Sequence, residues 1–290
     1  MKTTVRAYAK INLFLDMVSR RDDGYHNILS VMQSVTLHDV VEVEYIKGDQ
    51  KEIIVTCDNS GIPTDKSNLG YKAASVFPYA NGRIHIRIKK SIPVSAGLAG
   101  GSADAAAVLI ALNDLCGRPM RLEELKVLGA TLGADVPFCI EKGTCLVEGI
   151  GETMRDFASM PNLPIVIAKK GEGMSTPLAY RLLDEKYNLF NGYTPRSGKL
   201  ATLNSPEKFN TKQYCSGIYN IFEEVVEQCR PDVTAIKETM IGCGALNATM
   251  SGSGTSVFGI FEDVDSAQLA LQKLIILGAD AHVCYPYIPE

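Results

Sequence analysis

The residues best suited to do chemistry in this chain of 290 residues form a glycine-rich loop at positions 93–107, Pro-Val-Ser-Ala-Gly-Leu-Ala-Gly-Gly-Ser-Ala-Asp-Ala-Ala-Ala. Gly97, Gly100 and Gly101 have no side chain, so their amides can approach a ligand closely. A strand predicted from the alternation at 84–88 precedes the loop, and a predicted helix at 103–115 follows it. Because amides and the positive dipole end of a helix favour anions, this order predicts a phosphate site.

Two known phosphate motifs do not describe this loop. No Lys follows its glycines as in a Walker A loop, and the spacing G-x-G-x-x-G is not met. An ordinary glycine turn capped by Ser102 is the alternative interpretation of the same residues.

A lysine on the first strand is a second candidate. Alternate residues from Val5 to Leu15 are apolar, which predicts a strand with one buried face. Lys10 and Asn12 share the other face with two aromatic residues, Tyr8 and Phe14. We therefore expect that face to be half covered and Lys10 to lie in a cleft, although an isolated strand lysine is more often solvated.

Asp135 is the third candidate. It is the only charged residue between Lys126 and Glu141. It can act as the N-cap of a short turn at 136–137, or as a carboxylate in an apolar cleft that orients and helps to deprotonate a substrate hydroxyl. The two roles are compatible.

Two further segments combine turn residues with ligand-binding groups. The turn at 20–26, Arg-Arg-Asp-Asp-Gly-Tyr-His, ends in an aromatic ring and an imidazole that are suited to a heterocyclic base. The segment 248–255, Ala-Thr-Met-Ser-Gly-Ser-Gly-Thr, precedes a strand-like run at 256–261. It is either a hairpin turn or a second loop whose amides and hydroxyls contact phosphate.

Composition excludes some classes of function. A net charge of -4 and a pI near 5.7 argue against sequence-independent nucleic-acid binding, which requires a basic surface. Eight scattered cysteines without a C-x-x-C pair predict buried free thiols in a reducing compartment. We find no signal peptide and no apolar run of membrane-spanning length, so we expect a cytoplasmic protein without a membrane partner.

Three of these segments resemble the GHMP small-molecule kinases in order and approximate spacing: the strand at 9–13, the loop at 93–107 and the loop at 250–259. The segments 23–26, 132–138 and 148–152 are similar to the members whose substrate is a small cytidine diphosphate-linked polyol. The resemblance extends over most of the chain and is weakest at 184–213. It implies ATP-dependent phosphorylation of the 2-hydroxyl of that polyol, in the non-mevalonate route to isoprenoid precursors.

The resemblance also implies roles for individual residues. Lys10 and Asp135 would be the catalytic pair, with Asp135 against the substrate hydroxyl and Lys10 stabilising charge near the transferred phosphoryl group. The expected ATP-binding residues are Pro93, Val94, Ser95, Ala96, Gly97, Leu98, Ala99, Gly100, Gly101, Ser102 and Ala103, with Asn68 and Lys90 near the adenosine. The expected substrate-binding residues are Asn12, Tyr25, His26, Thr176 and Tyr180.

In this family the cytidine lies in an aromatic sandwich with a histidine, which corresponds here to Tyr25, Tyr180 and His26. Because stacking tolerates any base, we expect His26 to determine base specificity more than either tyrosine ring does. Magnesium is expected with ATP, and Ser102 is its expected protein neighbour, but no carboxylate ligand is identified. The chain departs from the family where Ala103 replaces a frequent serine, where Thr255 and Ser256 are in swapped order, and where Tyr180 replaces a frequent phenylalanine. None of these changes removes a backbone donor or a stacking plane.

Alternating predicted strands and helices indicate an α+β fold. The resemblance implies the two-domain GHMP kinase architecture, with a ribosomal protein S5 domain 2-like N-terminal domain at 1–155, a ferredoxin-like C-terminal domain at 156–290 and the active site in the cleft between them. The polar segment 193–214 is predicted to be a mobile loop. Two alternative functions are another kinase of this superfamily, acting on mevalonate, homoserine or a sugar, and a catalytically silent binding module.

Overall fold

The computed structural model describes residues 1–289 and has eleven strands and ten α-helices over that range. The strands are β1 Lys2–Arg20, β2 His26–Lys47, β3 Glu52–Cys57, β4 Gly82–Lys89, β5 Thr144–Gly149, β6 Thr153–Asp156, β7 Ile165–Lys169, β8 Tyr219–Asn220, β9 Asn247–Met250, β10 Val257–Ile260 and β11 Asp280–Cys284. The α-helices are α1 Leu69–Val76, α2 Gly100–Leu115, α3 Leu122–Ala130, α4 Val136–Glu141, α5 Thr176–Lys186, α6 Leu200–Leu203, α7 Thr211–Cys215, α8 Glu223–Cys229, α9 Pro231–Gly242 and α10 Val264–Ile276.

Residue contacts divide the chain into two compact units, each made of several segments. Of the described residues, the first unit contains 1–9, 38–92 and 99–142, and the second contains 10–37, 93–98 and 143–289. Both long strands, β1 and β2, contribute residues to each unit. The single boundary near residue 155 stays a prediction.

The first unit packs helices on a sheet. Its strands follow the order β3-β4-β2-β1, with β2 antiparallel to β4 from Val40 opposite Lys89 to Lys47 opposite Gly82, and β3 parallel to β4. Helix α2 packs against α1, α3 and α4 and is buried on most sides. Its run of alanines permits this close packing, because small side chains let neighbouring helices approach.

The second unit contains a four-stranded antiparallel sheet in the order β11-β7-β10-β9. Helices follow β7 and β10 along the chain, giving the β-α-β-β-α-β pattern of the ferredoxin-like fold. Its core includes the buried residues Val166, Ile236, Met240, Val257 and Leu274. The α+β class and the ferredoxin-like C-terminal architecture predicted above are therefore confirmed.

The segment 193–214 differs from the prediction of a loop. It contains α6, most of α7 and two short 3-10 helices, Ser197–Lys199 and Pro206–Lys208. Leu203 and Tyr214 are fully or almost fully buried. These anchors stabilise helices that are too short to be stable alone, which is why local polarity gave the wrong prediction.

The sequence predicts that the cysteines are buried free thiols. All eight cysteines are free thiols, and five of them are buried. Between residues 1 and 289, we find no helix that combines the length and the apolar character needed to cross a membrane.

Candidate active site

The backbone of the glycine-rich loop alternates in handedness before α2 begins. Ser95, Gly97 and Ala99 have φ values of 51°, 74° and 58°, whereas the residues between them do not have positive φ. Such alternation arranges successive N-H groups around a concave space that favours anions. Ala99 is the N-cap of α2 and has no side-chain acceptor for the helix amides. Ser102 lies inside the first turn, so the interpretation of Ser102 as the cap is wrong.

In the second unit, the glycine-rich loop contacts the segment 248–255, which we call the second loop. The hydroxyl of Ser251 donates to the carbonyl oxygen of Gly97 at 3.0 Å, and the Ser256 amide donates to the Ala96 carbonyl at 3.2 Å. A Cβ atom on Gly97 would lie 2.1 Å from the carbonyl oxygen of Ser251. Only glycine allows this approach, so the contact between the two loops requires glycine at position 97.

Lys10 is connected to the second loop through the side chain of Asn12. The Lys10 amine donates to Oδ1 of Asn12 at 2.7 Å, and the Gly252 amide donates to the same oxygen at 2.9 Å. Asn12 Nδ2 donates to the hydroxyl of Ser30 at 2.8 Å. Lys10 is 4% exposed and Asn12 is 1% exposed. This strand face, expected to be half covered, is almost completely buried at these two residues, and the side chain of Asn12 holds Lys10 and the second loop together.

Sequence reasoning missed a residue that fixes the second loop. Asn220, at the end of β8, donates from Nδ2 to the carbonyl oxygens of Met250 and Gly252, at 2.6 and 2.8 Å. Glu223 accepts from the Met250 amide at 2.9 Å. Asn220 is fully buried between apolar neighbours in the sequence, Ile218 and Ile221, and a polar residue in such a run was the available signal.

Asp135 belongs to the first unit and precedes α4. It occupies the N-cap position with φ -83° and ψ -13°, but its carboxylate makes no capping bond. Within residues 1–289 its half-buried carboxylate has no hydrogen-bond or ion-pair partner, so it is not used to stabilise the fold. Ser102 Oγ lies 3.9 Å from the position that a Cβ atom on Gly133 would take, which places Ser102 beside the loop that carries Asp135.

Lys90 is held in an ion-pair cluster of the first unit. Its amine donates to Asp104 Oδ2 at 2.8 Å and to Asp39 Oδ2. Asp39 Oδ1 accepts the amides of Ser91 and Ile92 at 2.6 and 2.8 Å. Burial raises the pKa of Asp104 to about 7. The Lys90 charge opposes this increase and the Asp39 charge adds to it. This arrangement fixes the start of the glycine-rich loop.

Asn68 has a structural role as well. Its Oδ1 caps α1 by accepting the amides of Gly70 and Tyr71 at 2.8 and 3.2 Å, and its Nδ2 donates to the Pro63 carbonyl at 2.7 Å. Contacts of Asn68 and Lys90 with a nucleotide stay predictions.

Two of the residues expected to bind the base, His26 and Tyr180, are in contact in the second unit. The His26 ring stacks on Tyr180, with centroids 4.8 Å apart and an interplanar angle of 30°. Tyr25 is 63% exposed. The hydroxyls of Thr176 and Ser253 lie 2.9 Å apart, so the predicted Thr176 contacts the second loop. His26 and Tyr180 are thus adjacent, while Tyr25 presents a ring to solvent.

Two neighbours of His26 were not expected from the sequence. Asp184 Oδ1 lies 2.7 Å from His26 Nε2, and the edge of Phe190 lies against the imidazole with centroids 5.6 Å apart. Asp184 and Tyr180 are four residues apart on α5, a spacing that places both on one helix face and was the available signal.

The residues fit ATP better than a protein-held metal. The backbone alternation of the loop favours anions, and the amides at the start of α2 have no side-chain cap. No group of three or more His, Cys, Asp or Glu side chains with the geometry of a metal site occurs within residues 1–289.

Family models match two parts of the chain. The model of the GHMP kinases N terminal domain matches residues 68–143, and the model of the GHMP kinases C terminal region matches residues 198–280. A 4-diphosphocytidyl-2-C-methyl-D-erythritol kinase of Clostridium botulinum strain Langeland is 42% identical over 273 residues, covering 93% of this chain and 94% of that protein. The kinase of the same name from Caldicellulosiruptor saccharolyticus is also 42% identical, covering 93% and 92%.

A solved structure agrees with these relatives. The crystal structure of a 4-(cytidine 5'-diphospho)-2C-methyl-D-erythritol kinase superposes with a TM-score of 0.81 at 28% sequence identity, covering 99% of this chain and 100% of that chain. The similarity therefore includes both units and the sequence segments that carry the candidate site.

Proposed function

This chain belongs to the GHMP kinases, and we propose that it transfers the γ-phosphoryl group of ATP to the 2-hydroxyl of 4-diphosphocytidyl-2-C-methyl-D-erythritol. The acceptor is supported by the relatives of that name, which match almost the whole chain at 42% identity. The transfer chemistry is supported by one observation above all. The buried Lys10 amine donates to Asn12, which also accepts from Gly252 of the second loop, and the backbone amide of Lys10 donates to the Leu98 carbonyl of the glycine-rich loop.

The two loops supply backbone donors to the phosphates. Amides around Gly97 and at the start of α2 would donate to phosphate oxygens of ATP, and Ser102 would be the protein neighbour of the magnesium ion. Magnesium supplies charge compensation for the phosphate oxygens when ATP binds. Phosphoryl transfer is mainly alignment and charge stabilisation, so fixed donors are the main requirement.

Lys10 and Asp135 act on the acceptor hydroxyl. The Asp135 carboxylate accepts a hydrogen bond from the 2-hydroxyl, orients its oxygen and takes its proton as the new bond to phosphorus forms. The Lys10 ammonium stabilises the negative charge that develops on this oxygen and on the transferred group. The carboxylate of Asp135 has no structural partner within the described residues, which leaves it available for this task.

The test is an acceptor panel with the purified protein, ATP and magnesium. ADP release is followed by a coupled assay, and the product is analysed by phosphorus NMR for a phosphate monoester on the 2-oxygen. We expect release only with the cytidyl acceptor. Release with mevalonate or homoserine instead would replace the proposed acceptor, and no release with any alcohol would refute the kinase assignment.

A further inference from the structure

The imidazole of His26 is held on three sides in the second unit. Tyr180 covers one face, the edge of Phe190 meets it at an interplanar angle of 73°, and Asp184 Oδ1 lies 2.7 Å from Nε2. The side chain of His26 is 5% exposed and that of Asp184 is 16% exposed. A ring enclosed in this way has one orientation, and Nδ1 is its remaining nitrogen.

Asp184 is itself fixed. It lies on α5 one turn after Tyr180, so the stacking ring and the carboxylate are presented by the same helix face. Arg20 Nε lies 3.4 Å from the second carboxylate oxygen, Oδ2, which leaves Oδ1 for His26. The geometry therefore connects the turn at 20–26 to α5 through one carboxylate.

An ionised carboxylate can only accept hydrogen bonds, so the proton of a neutral His26 ring lies on Nε2. Nδ1 then carries a lone pair and accepts. Cytosine has an amino group at its 4-position and donates there, whereas uracil has a carbonyl oxygen that only accepts. Within residues 1–289, Nδ1 has no hydrogen-bond partner that would compete with a base.

From these contacts we propose that Asp184 is a positioning residue that makes the site specific for cytosine, because it holds His26 as the Nε2-H tautomer with Nδ1 as the acceptor. This inference rests on the proposed function and extends it to a residue that does not touch the substrate. It assigns base discrimination to a pair of residues 158 positions apart in the sequence.

The first experiment does not depend on activity. The protein is labelled with 15N-histidine and its imidazole nitrogens are assigned by NMR at about pH 8, well above the ordinary histidine pKa of about 6.5. We expect Nε2 of His26 to be protonated and Nδ1 to be unprotonated in the wild type. In Asp184→Asn, whose amide can donate or accept, we expect both tautomers. An Nδ1-H tautomer in the wild type would overturn the proposal.

The second experiment compares cytidyl and uridyl acceptors in Asp184→Asn and Asp184→Ala, with the exposed neighbour changes Glu185→Gln and Glu185→Ala as matched controls. We expect both Asp184 variants to raise the KM of the cytidyl acceptor at least ~10-fold with little change in kcat, and to reduce the preference for cytidine at least ~10-fold. The controls should behave as wild type.

The two levels of the argument fail separately. Unchanged base preference in active, folded Asp184 variants would refute the role of Asp184 and leave the kinase assignment intact. If the wild type itself fails with the cytidyl acceptor, the proposed function is refuted, and with it the role of Asp184 in reading cytosine, while the NMR experiment still decides whether Asp184 fixes the tautomer. Asp184→Asn preserves side-chain volume, so a folding failure of Asp184→Ala does not remove the test.

Discussion

At the scale of single residues, the polar side chains of the candidate site are of two kinds: some hydrogen-bond to other parts of the protein, and others have no partner within the described residues. Asn12 accepts from Lys10 and from Gly252, so it acts by holding other groups in place. Asp135 has no partner of its own within the described range. This contrast supports a positioning role for Asn12, and it supports the proposal that Asp135 acts on the substrate hydroxyl.

Removing the charge of Lys10 should slow transfer without unfolding the protein. Lys10→Met keeps the apolar stem and loses the ammonium group, so we expect kcat to fall at least ~100-fold, equivalent to about 2.7 kcal/mol of transition-state stabilisation. Steady-state kinetics and circular dichroism measure both effects. Lys2→Met, on the same strand but exposed, is the control, and a near-normal kcat in Lys10→Met would remove Lys10 from the mechanism.

Asp135→Asn should have an effect of similar size. The amide keeps the shape of the side chain but cannot take a proton from the acceptor, so we expect kcat to fall at least ~100-fold. Because the carboxylate makes no bond within the described residues, the free energy of unfolding should change by less than about 0.5 kcal/mol. Asp114→Asn, a surface change, is the control. Retained turnover would contradict the assignment of Asp135.

At the scale of elements, the glycine-rich loop depends on a close approach between two backbones. Gly97 combines a φ of 74° with the carbonyl of Ser251 in the space that a Cβ atom would need. The loop conformation is therefore a property of two segments about 150 residues apart and requires both.

Gly97→Ala should disrupt nucleotide binding. A contact of 2.1 Å cannot be tolerated, so the loops must separate, and we expect kcat/KM for ATP to fall at least ~100-fold. Gly117→Ala is a matched control, because Gly117 also has a positive φ but a Cβ atom there meets no atom within 4 Å. Equal effects of the two changes would show that backbone strain alone, without the loop contact, is responsible.

A second cluster fixes the segment that follows α5. Glu224 accepts from the hydroxyls of Tyr187 and Tyr219 and pairs with Lys186 and Arg196. Burial by itself would raise the pKa of Glu224, but these hydrogen bonds and the Arg196 charge outweigh it and lower the pKa to about 2.

Glu224→Gln should therefore destabilise the protein in a pH-dependent way. The folded-state pKa lies below the ordinary value of 4.5, so the carboxylate stabilises the fold above about pH 4.5 and loses this contribution as pH falls toward about 2. We expect the variant to lose about 1–3 kcal/mol in urea unfolding at pH 7, and the difference to shrink at pH 3. Glu185→Gln, which is exposed, should show neither effect. A constant difference across pH would contradict this account.

At the scale of the whole molecule, ligand binding and stability are linked. A nucleotide that binds only the folded protein raises the free energy of unfolding by about 2.7 kcal/mol at one hundred times its Kd. We expect a non-hydrolysable ATP analogue with magnesium to give this increase in urea unfolding of the wild type. The same concentration should have little effect on Gly97→Ala, and an equal increase in both proteins would contradict a site at the glycine-rich loop.

Local patterns were sufficient for much of the fold and part of the site. The alternation of apolar and polar residues in 84–88 predicted β4, and the small residues after Gly101 predicted α2. Both signals can be recognised because they are contained within a few consecutive residues. The three motifs that contain Lys10, Gly97 and Ser251 were identified from their residue types. The short helices in 193–214 were not, because buried contacts of Leu203 and Tyr214 stabilise them rather than local propensity.

The amino-acid sequence by itself determined the α+β class, the glycine-rich loop before α2 and the presence of a lysine and a carboxylate of the types that phosphoryl transfer uses. Only the tertiary structure decided that Asn220 holds the second loop, that Asp184 holds His26, and that Lys90 is paired with two aspartates. The reason is that a polar side chain is assigned its partner by packing between distant segments, and a hydrogen bond across 158 residues leaves no local pattern.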